Sequence, residues 1–353
     1  MRKFIFLLIL FLAVVFVFLS FSELEGVVHT LERSNPIFLS VALFFECIWL
    51  YNVAITYAAL YRLMDIPESR LRLLLLASAA NFVNVIAPSA GLGGMAIFLD
   101  SARQRNQPTG RVTVVGVLYV LYDYAAFLAV LALGLIVLFR RNNLNGGEIT
   151  ASAILLLIAF AIGFILYLGY HSSEQLGRVL VWLARLVNRL LYPFLHREYL
   201  DVSYAYYFAQ EVAEGVAMLR KKPRQLLWPF LFALNNKALL ICVLAFTFLA
   251  LGTPFSVGTL VGGFSIAYLF FIVSPTPSGV GVVESIMPVA LTGLRVPWAA
   301  AVLITLVYRA VTFWFPLLVG AVSFRILQSQ AEIKRILADD TSCSSVPQGD
   351  TKA

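Results

Sequence analysis

Charged side chains are scarce in this 353-residue chain: aspartate, glutamate, lysine and arginine make up 13% of it, whereas apolar residues make up 61%. Soluble domains carry about 25% charged residues. The composition therefore excludes a soluble enzyme, a disordered chain and a nucleic-acid-binding protein, despite a net charge of +7. It predicts an all-α polytopic integral membrane protein, because the apolar residues form runs long enough to cross a bilayer as helices.

Cysteine and histidine are also few. The three cysteines, Cys47, Cys242 and Cys343, form no CxxC pair, and the three histidines lack the spacing of metal ligands. The sequence therefore indicates no disulfide framework and no zinc or other metal site. It indicates no cofactor either.

Long apolar runs take up most of the chain. Residues 4–21 predict a first spanning helix, with a cleaved signal peptide as the alternative. Further continuous helices are predicted over 37–60, 112–138, 150–170, 226–250 and 297–323. These segments together predict about six spanning helices.

Two other apolar stretches, 73–99 and 257–294, are interrupted by proline and glycine. Proline blocks a helix and glycine loosens it, and unwound backbone at membrane depth must be covered by protein or line a polar cavity. We therefore predict two re-entrant hairpins of half-helices, with a single kinked helix as the alternative in each case. The predicted loop or gate residues are Pro88, Gly91 and Gly93 in the first hairpin and Pro277, Gly279 and Gly281 in the second.

An internal repeat relates the two hairpins. A shift of 188 residues places Gly91 on Gly279 and also superimposes two of the predicted spans on later ones. This agreement predicts a duplication. The predicted parts are repeat 1 (about 37–138), a basic cytoplasmic insertion (171–225) and repeat 2 (about 225–326), all within a transmembrane domain 1–330, and a flexible polar tail 331–353.

The basic residues predict the orientation. If the N-terminus is cytoplasmic and the hairpins enter from opposite sides, 20 of the 26 lysines and arginines lie inside and four lie outside. This distribution follows the positive-inside rule. It makes the two repeats inverted, as in many transporters. The expected location is the cell (cytoplasmic) membrane, with both termini in the cytoplasm.

Five ionisable residues lie in apolar surroundings: Glu46, Asp123, Lys237, Glu284 and Arg309. A charge at the bilayer centre costs about 2.5–3.5 kcal/mol on insertion scales. These side chains are therefore expected to face the bundle interior, either as structural pairs or in a polar cavity. Asp123 and Arg309 come from corresponding helices at similar depth, which predicts that they form an ion pair.

A headgroup site is the functional interpretation of these charges. Lys237 follows Asn235 and Asn236, so part of that helical turn is expected to face a polar site. The half-helix that begins near Val282 would point its positive dipole end at the membrane centre, although close helix packing explains the glycines equally well. The predicted substrate-binding residues are Lys237, Glu284, Arg309, Asp123 and Asn236.

The motif from Pro277 to Glu284, followed by Arg309 in the next helix, resembles the flippase-like membrane region of the lysylphosphatidylglycerol synthases, the multiple peptide resistance factor proteins. Asn81, Asn84, Pro88 and Gly91 are its counterpart in the first repeat. Ser278 stands where glycine is common in the family. The resemblance covers about residues 1–330 and implies a stand-alone member without the aminoacyl-transferase domain, hence not an enzyme.

The resemblance implies a lipid flippase that moves a phospholipid or lipid-linked headgroup, anionic or zwitterionic, between leaflets. Three rivals stay open: an ion-coupled transporter of a small solute, a membrane enzyme of lipid-linked glycan synthesis, and an accessory scaffold for such an enzyme. The expected partners are membrane lipids, with a homo-oligomer or a lipid-modifying enzyme as further possibilities and no nucleic acid.

Overall fold

A computed structural model describes residues 34–86, 92–140, 223–274 and 276–343, with five positions between 153 and 164. No strand occurs among the described residues. A π-helical turn, Ala310–Trp314, joins the last two helices. The helices are α1 (Pro36–Leu63), α2 (Arg70–Ile86), α3 (Leu92–Gln104), α4 (Thr109–Arg140), α5 (Leu227–Ala250), α6 (Val257–Val273), α7 (Val282–Gly293), α8 (Trp298–Arg309) and α9 (Phe315–Cys343).

Four helical segments are long and apolar enough to cross a membrane: Pro36–Leu63, Thr109–Arg140, Arg224–Ala250 and Trp298–Gln330. Large apolar side chains on these segments, such as Phe139 and Leu318, are exposed, as expected of surfaces that face lipid. The four corresponding sequence predictions are confirmed. The predicted spans at 4–21 and 150–170 lie outside the described residues, so the count of six stays a prediction.

Each interrupted apolar stretch forms two helices rather than one kinked helix. The first gives α2 and α3, and the second gives α6 and α7; within each stretch the two helices pack against each other. They have 12–17 residues, or about 18–26 Å at 1.5 Å per residue. This length is less than the hydrocarbon thickness of about 30 Å.

Two apolar cores lie toward opposite ends of α1 and α4. One core contains Ala42 of α1 and Phe127 of α4 and surrounds the α6–α7 pair. The other contains Leu60 of α1 and Val115 of α4 and surrounds the α2–α3 pair. Each pair of short helices therefore has its own core, and α1 and α4 run through both.

Close contacts join the first part of the chain to the second. α1 packs along α5, α2 along α9, and α4 along α6. The Asn52 side chain of α1 donates to Asn236 Oδ1 of α5 at 2.7 Å. Gly320 of α9 allows its helix to approach α2, because a Cβ there would overlap the Ser78 carbonyl oxygen and Phe82.

The proposed domain division is described only in part. The basic insertion 171–225 lies outside the described residues up to position 222. α9 continues to Cys343, inside the segment 331–353 predicted to be a polar tail. The division itself stays a prediction.

Candidate functional site

Lys237, Asp123 and Tyr268 bring three helices together. The Lys237 side chain is 1% exposed, and its Nζ lies 2.6 Å from Asp123 Oδ1. Lys237 also donates to the Tyr268 hydroxyl, and that hydroxyl donates to Asp123 Oδ2 at 3.1 Å. This closed triad of α5, α4 and α6 satisfies both carboxylate oxygens, which is what a buried ion pair needs if attraction is to offset desolvation.

The predicted Asp123–Arg309 pair is wrong. Asp123 pairs with Lys237, and Arg309 pairs with Glu284 instead. The repeat offset of 188 aligns Asp123 with Val311 rather than with Arg309. Asp123 and Arg309 stand on corresponding helices, but Asp123 lies beside Lys237 of α5 and Arg309 lies beside Glu284 of α7.

Arg309 and Glu284 fasten the Pro/Gly loop between α6 and α7 to the end of α8. Arg309 Nε donates to Glu284 Oε1, and a terminal guanidinium nitrogen donates to the Ser278 carbonyl at 3.3 Å. The guanidinium also lies 4.4 Å from the Phe313 ring centroid in the π-turn. Such π-turns within helices occur often at functional sites.

Glu284 has a second role at the start of α7. Its Oε2 accepts the backbone N–H of Gly281, the N-cap residue, at 2.7 Å, which is the carboxylate half of a capping box, since Gly281 has no side chain to supply the other half. A helix N-terminus carries a partial positive charge that favours an anion. In this helix, the protein's own carboxylate occupies that position.

The loop before α7 turns sharply because three residues adopt left-handed backbone conformations. Ser278, Gly279 and Gly281 have φ angles of 50°, 70° and 79°. A Cβ at Gly279 would lie 2.7 Å from Val283 Cγ2 and 3.1 Å from the Cα of Phe271, so both conformation and space require glycine there. Pro277 begins the short 3₁₀ turn, Pro277–Gly279, that contains the first two of these residues.

The first pair of short helices has a related cap. Asn84 Oδ1 of α2 accepts the backbone N–H of Gly94 near the start of α3 at 2.6 Å. Gly93, a predicted gate residue, is part of α3. The other two predicted gate residues, Pro88 and Gly91, lie outside the described residues.

A cavity of about 90 Å³ lies among the elements that carry these contacts. That volume can hold several water molecules. Its lining comes from α1, α2, α5, α6, the loop and start of α7, α8 and the π-turn. The polar members of the lining are Trp49, Asn81, Tyr268, Ser278, Tyr308, Arg309 and Thr312.

Three of the predicted site residues reach this cavity only through another side chain. Arg309 lines the cavity itself and is 5% exposed. Lys237 and Asp123 hold Tyr268, which lines it, and Glu284 holds Arg309. Asn236 instead bonds to Asn52 in the α1–α5 contact, and so belongs to helix packing.

Several lining residues could not be found from charge patterns. Tyr268, Tyr308 and Trp49 lie in apolar helices, where an aromatic side chain is more often part of the core. The only feature of the sequence that could indicate a place in a polar cavity is the hydroxyl or indole N–H that each of these side chains carries. Asn81 differs, because it belongs to the first-repeat motif quoted for the family resemblance.

Residues 4–320 match the model of a protein family described as the lysylphosphatidylglycerol synthase TM region. The chain belongs to that family. It is also similar to a UPF0104 membrane protein of Methanothermobacter thermautotrophicus, with 23% identity over 290 residues, which cover 80% of this chain and 83% of the relative. The family resemblance stated from the Pro277–Glu284 motif is therefore confirmed. In this member of the lysylphosphatidylglycerol synthase TM region family, the matched residues include all five that are ionisable within apolar segments.

Proposed function

We propose that the protein moves a lipid with an anionic or zwitterionic headgroup between the leaflets, acting as a transporter rather than an enzyme. The observation that carries the proposal is the placement of Arg309. Its guanidinium lines the cavity, beside the loop between α6 and α7. A planar fork of donors suits a phosphate better than a point charge does.

The contacts around Arg309 favour a headgroup site of moderate affinity, from which the bound lipid can also dissociate. Glu284 already neutralises part of the guanidinium and fills the N-terminus of α7. An incoming phosphate would therefore compete with Glu284 for donors. Binding that is favourable but partly compensated is what a carrier needs, because a transported group must also leave.

The helix contacts support an inverted repeat with two re-entrant hairpins, and we propose six spans in all. In the predicted repeat, α1 corresponds to α5, α2 to α6, and α4 to α8 with α9. The contact of α2 with α9 therefore has an equivalent in the contact of α6 with α4, and the contact of α1 with α5 is its own equivalent. The two cores at opposite ends of α1 and α4 agree with hairpins that enter from opposite sides. We propose that both termini are cytoplasmic in the cell membrane.

Cysteine labelling tests this orientation. In a chain without its native cysteines, Pro67→Cys, between α1 and α2, is expected to react only after the membrane is permeabilised. Pro254→Cys, between α5 and α6, is its matched control and is expected to react from outside with the same membrane-impermeant maleimide. Both positions are exposed loops. If both label from the same side, the inverted arrangement is wrong.

Lipid movement itself is tested with purified protein in vesicles. Trace fluorescent phosphatidylglycerol, phosphatidylethanolamine or polyprenyl phosphate is added, and an impermeant quencher reports the outer-leaflet fraction over time. We expect at least one of these lipids to exchange faster than in protein-free vesicles and in vesicles with an unrelated membrane protein. If none does, the flippase proposal fails and the scaffold alternative gains support.

The size of the cavity favours one other candidate function. A space of about 90 Å³ fits a small polar solute without further opening, as an ion-coupled solute transporter requires. A flippase must instead open this space sideways to lipid. Uptake of a small anion by the same vesicles, without lipid exchange, would favour the solute transporter.

A further inference from the structure

Glu46 is the one ionisable residue of the five whose charge the contacts above leave without a partner. It lies in α1, and its side chain is 0% exposed. Within the described part of the chain, neither carboxylate oxygen has a hydrogen bond. The other four form two ion pairs, Lys237–Asp123 and Arg309–Glu284.

An ionised carboxylate in this environment is expensive. Burial removes its hydration, and without a partner nothing replaces the lost interactions. The neutral acid loses far less on burial. Glu46 in this conformation is therefore the protonated acid, and any state in which it is ionised must bring water or a cation to it.

Glu46 stands next to the cavity. Trp49, three residues later and on the same face of α1, lines that cavity, and its Nε1 is also without a hydrogen-bond partner among the described residues. Tyr308, a lining residue on α8, interacts electrostatically with Glu46. The Glu46 carboxyl group and the Trp49 Nε1–H are one helical turn apart, and both lack a hydrogen-bond partner in the ranges that the structure describes. Water can bind between them once there is space for it.

The charges around Glu46 do not replace that water. Among the described residues, Cys47 on the same helix also interacts electrostatically with Glu46. The charged residues in the apolar parts of the helices nearby are Lys237, Asp123 and Arg309, and each is held by its own partner. The other titratable side chains in the apolar parts of α4 and α5 are Tyr119, Tyr122, Tyr124 and Cys242.

We propose that Glu46 binds the proton that couples lipid movement to a proton gradient, an inference that rests on the function proposed above. Glu46 takes up a proton from the water on one side while the cavity is open there and the headgroup binds, and the cavity closes around the neutral acid. When the cavity opens to the other side, water reaches the carboxyl group and accepts the proton as hydronium, leaving the carboxylate, and the lipid leaves. The emptied protein returns with the carboxylate hydrated, so one proton crosses with each lipid.

A pH gradient across the vesicles tests this coupling. If one proton moves with each lipid, a gradient of about one unit is expected to hold trace labelled phosphatidylglycerol at about a tenfold leaflet ratio. Glu46→Gln, which is neutral and similar in shape, is expected to lose that asymmetry, whereas Glu46→Asp retains part of it. Glu68→Gln is the matched control: its largely buried carboxylate lies in the loop between α1 and α2, pairs with the exposed Arg105 and is not part of the cavity lining, so this variant keeps the full response.

Infrared spectroscopy of the detergent-solubilised full chain supplies a readout that does not need transport. A protonated-carboxyl stretch is expected in the unmodified protein and in Glu68→Gln, and its loss is expected in Glu46→Gln. If this band is unchanged in Glu46→Gln, the proton site is wrong. If the band behaves as expected and lipid exchanges, but the gradient produces no asymmetry, the coupling is wrong and the flippase proposal stands. If no lipid exchanges at all, the flippase proposal fails and takes the coupling with it.

Discussion

Replacing Lys237 with methionine is expected to lower the free energy of unfolding by about 3–5 kcal/mol, because it leaves the Asp123 charge uncompensated in a largely buried site. Asp123→Asn is expected to cost a similar amount, since Lys237 is then the charge without a partner. Either change also weakens the contacts of the Tyr268 hydroxyl, which joins α6 to the pair. Denaturation of the purified protein in mixed micelles measures the effect.

Replacing both residues together shows whether Asp123 and Lys237 interact or contribute to stability independently. Asp123→Leu combined with Lys237→Met removes both charges, and apolar replacements of buried pairs are often neutral or stabilising. The double variant is therefore expected to be more stable than Lys237→Met or Asp123→Leu alone. The matched control combines Asp123→Asn with Arg309→Gln, whose effects are expected to add within about 0.5 kcal/mol. The opposite result would support the Asp123–Arg309 pair predicted from the sequence. In that case the unfolding free energies would be non-additive for Asp123 with Arg309 and additive for Asp123 with Lys237.

The error in predicting that pair has a physical cause. Apolar runs, Pro/Gly interruptions and the repeat offset all depend on residue spacing along the chain, so they located four spans and two pairs of short helices. Ion pairing depends on which face of each helix meets its neighbour. Asp123 and Arg309 stand on corresponding helices of the two repeats, two positions out of register. Lys237 lies next to Asp123 and Glu284 lies next to Arg309, and spacing alone does not encode the rotation that brings them there.

Within the cavity lining, the sequence pointed to Arg309, as a charge in an apolar segment, and to Asn81 and Ser278, as members of the two motifs. Arg309 is a predicted site residue because a cation in an apolar segment raises the free energy of membrane insertion unless it has a partner or a polar cavity. Tyr268 and Trp49 carry no such penalty in their apolar surroundings, so nothing in the sequence separates them from core aromatics. Glu46 was recognised as ionisable, but its lack of a partner appears only when the positions of neighbouring side chains are known.

Replacing Arg309 with glutamine is expected to reduce lipid exchange by about 30-fold or more. Truncating one partner of a buried charge pair at a binding site costs about 2–5 kcal/mol, and each 1.4 kcal/mol is tenfold. The variant also loses the contact that holds the Ser278 carbonyl. The matched control is Arg309→Lys, which keeps the charge without the planar fork and is expected to retain part of the activity. Quenching of labelled phosphatidylglycerol in vesicles measures the rates.

Glu284→Gln distinguishes a headgroup ligand from a structural pair. Glutamine can still accept the Gly281 N–H, but it no longer neutralises Arg309. If Arg309 binds the headgroup, short-chain phosphatidylglycerol is expected to bind more tightly to Glu284→Gln and more weakly to Arg309→Gln, while both variants exchange lipid more slowly. A purely structural pair would weaken binding in both variants, and that result would contradict the proposed role.

The two separate cores have a mechanical consequence. Each core holds its pair of short helices with interdigitated apolar side chains, and such packing resists deformation. Between the cores lie the ion pairs Lys237–Asp123 and Arg309–Glu284 and a small apolar cluster of Val85, Val280 and Phe313, while α1 and α4 continue through both cores. The tips of the two helix pairs therefore meet through only a few side chains. We expect a change of ion-pair partner to shift these tips before it disturbs either core.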